Sequence, residues 1–194
     1  MSTRVSILLP TYNRPDVLPL AINSILAQTF DDYELLVVGD GCAESTEQSI
    51  KGFRDSRIRW FDLPKAAGVG YANRNIALRE ARGEIIAYQS HDDLWLPDHL
   101  ELLVRLMDNK KSEFAYSRPL DVSTGGVITP VSFNLHDPLT FENWVKRGIG
   151  YVPIAAVIHR RDGLAKYGYW NEDLQKGGDC ELWARIIQSG AFHN

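Results

Sequence analysis

Cysteine is scarce in this sequence: Cys42 and Cys180 are the only two among 194 residues. Their spacing fits neither a disulfide framework nor a zinc site, so the fold must rest on its hydrophobic core, and the scarcity suits a reducing compartment. No apolar run approaches the ~20 residues of a membrane span, and no signal-peptide stretch precedes the first strand. These absences predict a cytoplasmic protein without a transmembrane segment, with attachment to a membrane surface left open. A basic excess is also missing. The formal net charge of −4 argues against nucleic acid as a partner and requires any bound anion to be held locally. Repeats, low-complexity tracts and linkers are absent, so residues 1–194 are expected as one domain. The composition, 44% hydrophobic and 24% charged, supports a single core.

Within that composition, short apolar runs alternate with helical stripes. Val5-Ser-Ile-Leu-Leu9 reads as a strand stopped by Pro10 and Pro15. Leu18, Ala21, Ile22, Ile25 and Leu26 then recur at helical spacing. Tyr33 to Val38 is a second strand, closed by Gly39-Asp40-Gly41, and Ser45 with Gln48 predicts a capping box for a helix to about Phe53. Ile58 to Phe61 is a third strand. Gly68-Val-Gly70 leads into a helix from Tyr71 to Arg82, and Ile85 to Tyr88 is a fourth strand, followed by a helix opening near Pro97. This alternation predicts an α/β, Rossmann-like, doubly wound and mostly parallel sheet with helices on both faces. Beyond Asn109 the pattern is less regular. Strands are expected at Phe114 to Ser117 and Ile154 to His159, helices at Leu139 to Arg147 and Arg161 to Lys166, and a last helix near Asp179.

Parallel strands place the residues that follow them on one sheet edge, which is where ligands bind in open α/β sheets. Three polar groups fall there: Thr11-Tyr12-Asn13-Arg14, Gly39-Asp40-Gly41, and Ser90-His91-Asp92-Asp93. Asp92 and Asp93 repel one another unless a cation or protons neutralise them, and a divalent metal suits the pair; by themselves they are equally well read as capping the next turn. The junction after Gly68 could offer backbone N–H groups to a phosphate, although it is neither a Rossmann fingerprint nor a Walker A motif. Arg74, on the first turns of the following helix, is a candidate diphosphate contact.

Taken in order, these segments resemble the inverting family 2 glycosyltransferases of the GT-A fold over nearly the whole chain. The opening strand through Arg14, Ser24 to Phe30, Tyr33 to Gly41, Ala72-Asn-Arg-Asn75, Ala81 to Glu84 and the acidic stretch with Trp95 and Pro97 carry the resemblance, with Lys166 to Glu172 and Asp179 to Trp183. It implies transfer of a sugar from a nucleotide diphosphate donor to a hydroxyl of a glycan, lipid-linked or small-molecule acceptor. Residues 1–110 would form the donor half and 111–194 the acceptor half. Pro10, Thr11, Tyr12, Asn13, Arg14, Arg74, Asn75, Ser90 and His91 would line the donor site, with Asp40 accepting from the imino N–H of a base. Uracil, thymine and guanine carry that donor and cytosine lacks it; a uridine diphosphate sugar is the first choice. Asp92, with Asp93 beside it, would hold Mg²⁺ or Mn²⁺. Asp179 would be the general base, with Glu181 the runner-up and a helix N-cap the plain alternative. Trp183, His99 and His159 read as structural, while Phe133, Trp144 and Tyr151 could stack on an acceptor sugar.

Three positions depart from the family pattern. Ser90 stands where an acid commonly begins the metal motif, Asp40 lacks its paired acid, and Gly178 stands where an acid often precedes the base. The chain also stops at Asn194, where more sheet and helix are expected to close the acceptor side, and this reads as a truncated chain. Each lost acid keeps a second reading in view, a nucleotide-binding module without turnover. A sugar-phosphate nucleotidyltransferase ranks lower, because the loop after the first strand has no glycine.

Overall fold

The computed structural model describes residues 3–131, 133–146, 152–188 and 192–193. Its strands are β1 (Val5–Thr11), β2 (Tyr33–Asp40), β3 (Ile58–Leu63), β4 (Ile85–Tyr88), β5 (Phe114–Tyr116), β6 (Leu120–Val122), β7 (Ile128–Pro130), β8 (Val157–Arg160) and β9 (Phe192–His193). Its helices are α1 (Leu18–Leu26), α2 (Glu44–Lys51), α3 (Tyr71–Arg79), α4 (His99–Lys110), α5 (Pro138–Phe141), α6 (Asp162–Tyr167) and α7 (Gly178–Ile187). The main sheet runs β3-β2-β1-β4-β8-β5-β9, and β8 alone runs against its neighbours. A separate hairpin pairs β6 with β7.

Alternation along the strands sorts the core into two layers. Val5, Ile7 and Leu9 of β1 pack under α1 and α4, while Leu8 faces α3 and α7. Both faces are therefore covered, which is why these strands read as continuous apolar runs rather than alternating ones. Trp183 of α7 is fully buried, 5.0 Å from the ring of Tyr88 and 5.9 Å from that of Phe114. It is core, as its place on an apolar helix face implies. His159 is buried too. Tyr88 Oη and His159 Nε2 lie 2.7 Å apart, and His159 Nδ1 is 2.7 Å from the Arg160 carbonyl. Burial pushes His159 down to about 4, so the ring stays neutral. His99 stacks on Trp95 and is likewise pushed by burial to about 4. Both histidines are structural, as expected. No helix among the described residues is long and apolar enough to cross a membrane.

Several local expectations are corrected. Pro10 does not stop β1. Residues Val5 to Leu8 pair with β4, but Pro10 and Thr11 pair only with β2, so the missing N–H of Pro10 falls where β1 has a single neighbour. No capping box opens α2, whose N-cap is Ala43; Gln48 Nε2 donates instead to Glu44 Oε1 at 2.8 Å. The strand expected from Ile154 begins at Val157 after a 3-10 turn, and α4 begins at His99 rather than at Pro97. The helix at Leu139 is the short α5, followed by a π-helical turn over Glu142–Lys146; Arg147 lies outside the described residues.

Buried Glu34 was not foreseen as a fold determinant. Its carboxylate accepts from Ser6 Oγ at 2.7 Å, the Arg82 N–H at 2.7 Å and Arg59 Nη1 at 2.8 Å. Burial alone would raise it, yet these donors together hold it below the usual carboxylate range. It links β1, β2, β3 and the turn into β4.

Candidate active site

The parallel register brings the ends of β1, β2, β3 and β4 to one edge, where they border a cleft of about 560 Å³. Gly70 shapes its wall. At φ 81 it starts α3, and a Cβ there would lie 2.8 Å from Asp40 Oδ2, so only glycine lets the helix start this close to β2.

Thr11, Tyr12, Asp40, Ser90 and His91 line the cleft at the strand ends, and Pro10, Arg74 and Asp179 line it with them. Thr11 is 3% exposed and its hydroxyl has no protein partner, which leaves it for a ligand. Tyr12 is 49% exposed and offers a ring face. Asp40 is already engaged by the protein. Oδ1 accepts from the Ala66 N–H at 2.8 Å and from Asn73 Nδ2 at 2.7 Å, and Oδ2 is ion-paired with Lys65. A carboxylate has about four lone-pair sites, so one remains for a base N–H.

Lys65 and Asn73 are functional candidates that the sequence reading missed. Lys65 Nζ sits 4.9 Å from the centre of the Tyr12 ring, and both residues line the cleft. Lys65 follows the end of β3 by two residues, so the strand-end rule that found the other three groups could have found it.

Other expected members stand outside the cleft. Asn13, at φ 49, accepts from the Ala43 N–H at 2.6 Å and so caps α2, while Arg14 lies 3.8 Å from Asp16. Asn75 is a correction. It is 1% exposed and donates to the Trp170 carbonyl at 2.9 Å and to Glu172 at 2.8 Å, while its Oδ1 accepts from the Trp170 N–H. Its side chain clamps the loop before α7 and has no donor left for a nucleotide. Glu181, the runner-up base, is bound to Arg185 at 2.7 Å. Trp144 is 4% exposed and Phe133 stacks on Tyr116 at 5.1 Å, so both serve the core, and Tyr151 lies outside the described residues.

Asp92 and Asp93 differ in character. Burial works to raise Asp92, but the Ser90 hydroxyl donates to it and His91 stands 3.9 Å away, and the net effect is to lower it. Asp93 is raised, first by burial and then by the charge of Asp92. Asp92 therefore carries its charge more readily than Asp93, which suits it to a hard cation, and its side chain is half exposed. Among the described residues no three His, Cys, Asp or Glu side chains cluster to hold a metal. The donor set fits an ion such as Mg²⁺ that is held by one carboxylate, substrate phosphates and water, not one caged by protein.

Asp179 is the second residue of α7, and its side chain does not cap the helix, which starts from Gly177 at φ 72. The plain alternative of a helix cap is thereby set aside. Asp179 Oδ1 faces Arg74 Nη1 across 3.4 Å. Burial raises the Asp179 carboxyl and Arg74 opposes that rise. A carboxylate raised in this way, lining a cleft, has the properties of a general base. Gly178 explains one departure from the family pattern: its N–H donates to Tyr71 Oη at 2.8 Å, and a Cβ there would lie 2.5 Å from the Tyr71 ring. The ring occupies the space an acid would need.

Known proteins are similar to this chain in sequence and in fold. A model described as glycosyl transferase family 2 matches residues 6–166. An Escherichia coli relative, UDP-Glc:alpha-D-GlcNAc-diphosphoundecaprenol beta-1,3-glucosyltransferase WfgD, is 31% identical over 151 residues, 77% of this chain and 58% of its own length. The structure of S. aureus TarS 1-349 in complex with UDP superposes with a TM-score of 0.75 at 21% identity, covering 92% of this chain and 53% of that one. A mannosyltransferase from Pyrobaculum calidifontis, in complex with GDP-Man and Mn²⁺, gives a TM-score of 0.71 at 18% identity, covering 98% of this chain and 54% of that one. The chain thus spans little more than half the length of each of these three proteins.

Proposed function

This chain belongs to glycosyl transferase family 2, and from that premise we propose that its cleft binds a uridine diphosphate sugar and passes the sugar, with inversion, to a hydroxyl of a lipid-linked glycan. The observation that carries the reading is the meeting, in one cleft, of the partly buried Arg74 guanidinium, the Asp179 carboxylate 3.4 Å from it and an aromatic face beside Asp40. TarS in complex with UDP and with UDP-GlcNAc supports the donor class, and WfgD, named as a UDP-Glc:alpha-D-GlcNAc-diphosphoundecaprenol glucosyltransferase, supports a UDP-sugar donor and a polyprenyl diphosphate acceptor. Residues 1–110 carry most of the donor site, and residues 111–194 bring the base and face the acceptor. A lipid-linked acceptor would be met at the cytoplasmic face of a membrane.

In this reading Tyr12 stacks on the base, and the remaining lone pair of Asp40 accepts its imino N–H while Lys65 holds the carboxylate in place. Arg74 meets the diphosphate. Asp92 would hold Mg²⁺ or Mn²⁺, which when bound supplies positive charge to the departing diphosphate. Asp179 takes the proton of the acceptor hydroxyl as the new C–O bond forms at the anomeric carbon. The bond to the diphosphate breaks on the opposite face, and its electron pair leaves with the nucleotide.

Incubation with UDP-glucose or UDP-GlcNAc and a GlcNAc-diphosphopolyprenol tests this, with the product read by NMR of the anomeric proton. A β-linked product from the α-linked donor is the outcome the reading requires, and an α-linked product contradicts inversion. UDP bound with neither donor consumed would favour a nucleotide-binding module, the alternative that Ser90 in place of an acid keeps in view.

A further inference from the structure

Arg74 is poorly satisfied for a buried cation. Its side chain is 16% exposed, its Nε is buried without a partner, and its two hydrogen bonds, to Asp179 Oδ1 and to the Val69 carbonyl, are both 3.4 Å long. That is the weak end of the range for such contacts. Two rings also flank the group, Tyr71 at 5.0 Å and Trp170 at 4.8 Å from the guanidinium carbon. These faces hold the group in place but leave its N–H fork unfilled, and a planar fork with free donors matches phosphate oxygens. The same guanidinium is the near counter-charge of Asp179. Around that carboxylate stand Arg74 and Tyr71 from α3, Tyr88 from β4 and Cys180 on its own helix, and Arg74 is the cation among them.

We propose that Arg74 is an interlock between donor and base: it holds the Asp179 carboxylate until a diphosphate takes the guanidinium, and then releases it to accept a proton. This deepens the donor reading given above and rests on it. The device orders the reaction. Without a diphosphate, Arg74 holds Asp179 below the basicity that its burial alone would give it. With one bound, the guanidinium is neutralised by phosphate, and the buried carboxylate gains basicity as the acceptor arrives. Arg74 thereby acts as a positioning residue for the base as well as a contact for the donor.

The test is an NMR titration of Asp179 in chain labelled with ¹³Cγ-aspartate, run without ligand and then saturated with UDP and Mg²⁺. The midpoint is expected to rise by about one pH unit or more with UDP, the scale on which one nearby opposite charge acts. A diphosphate could raise it directly, so Arg74→Gln is titrated in parallel. In that variant the ligand-free midpoint already lies near the upper value, and UDP moves it little. The proposal is overturned if UDP binds wild type and the midpoint stays, or if Arg74→Gln titrates like wild type without ligand. Arg74→Met, which keeps the length of the side chain without its charge, serves the same comparison should Arg74→Gln fail to fold. Failure of UDP to bind at all would remove the donor reading and the interlock with it, whereas bound UDP with an unmoved midpoint removes only the interlock.

Discussion

Replacing Asp179 by Asn lowers sugar transfer by about 10²–10⁴-fold while leaving the melting temperature close to wild type and UDP affinity no weaker, since a neutral side chain at 179 gives up Arg74 to the diphosphate more readily. Asn has nearly the shape of Asp and keeps an oxygen toward Arg74, so the 3.4 Å contact survives as a hydrogen bond without the charge. It cannot accept a proton from the acceptor hydroxyl. Because Asp179 caps no backbone N–H, the start of α7 loses nothing. The loss should appear in kcat at saturating donor, with the KM for the donor not raised, since the missing interaction is made only as the proton moves. A variant that keeps transfer within a few fold of wild type would take the base assignment away from Asp179. It would not pass to Glu181, which is held by Arg185.

Gly178→Asp, which restores the acid common at this place in the family, destabilises the chain by about 3 kcal/mol. The new Cβ meets the Tyr71 ring at 2.5 Å, and Tyr71 cannot retreat, being 4% exposed and packed against Trp170. Overpacking of a closed site costs about 1–3 kcal/mol, and straining the buried bond from the Gly178 N–H to Tyr71 adds about 1 more. At this chain length the loss corresponds to roughly 6–12 °C in melting temperature. Gly178→Ala carries the same Cβ and should lose most of the same stability. Melting curves for both that overlay wild type would show that the ring yields. Glycine at this position is thus the consequence of a tyrosine 107 positions away in sequence.

That long-range contact also shows where reading the sequence stops. The strands β1, β2 and β4 and the stripe of α1 were legible because burial on two faces, or on one helix face, writes itself into consecutive residues. The sheet edge followed from them, and with it Thr11, Tyr12, Asp40, Ser90 and His91. Arg74 and Asp179 could each be singled out, but not their contact, since nothing local records a pairing 105 residues apart. Asn75 was misassigned for the same reason: its partners at Trp170 and Glu172 come from a distant loop. The capping box at Ser45 failed because α2 starts at Glu44 from Ala43, which puts Ser45 inside the helix, while Asn13 from another loop accepts from the Ala43 N–H. Hairpin β6–β7 went unseen as paired strands because Leu120, Val122 and Ile128 are all exposed there, contrary to the usual burial signal.

The most direct test of the account is calorimetric titration of the folded chain with UDP, GDP and CDP, each with and without Mn²⁺. The account predicts that UDP binds and CDP does not, that affinity falls when Mn²⁺ is withheld, and that Asp92→Ala shows the same fall even with Mn²⁺ present. A folded chain that takes up none of the three nucleotides, or that binds UDP equally well after Asp92→Ala and Asp40→Ala, would contradict the assignment of this cleft as the donor site.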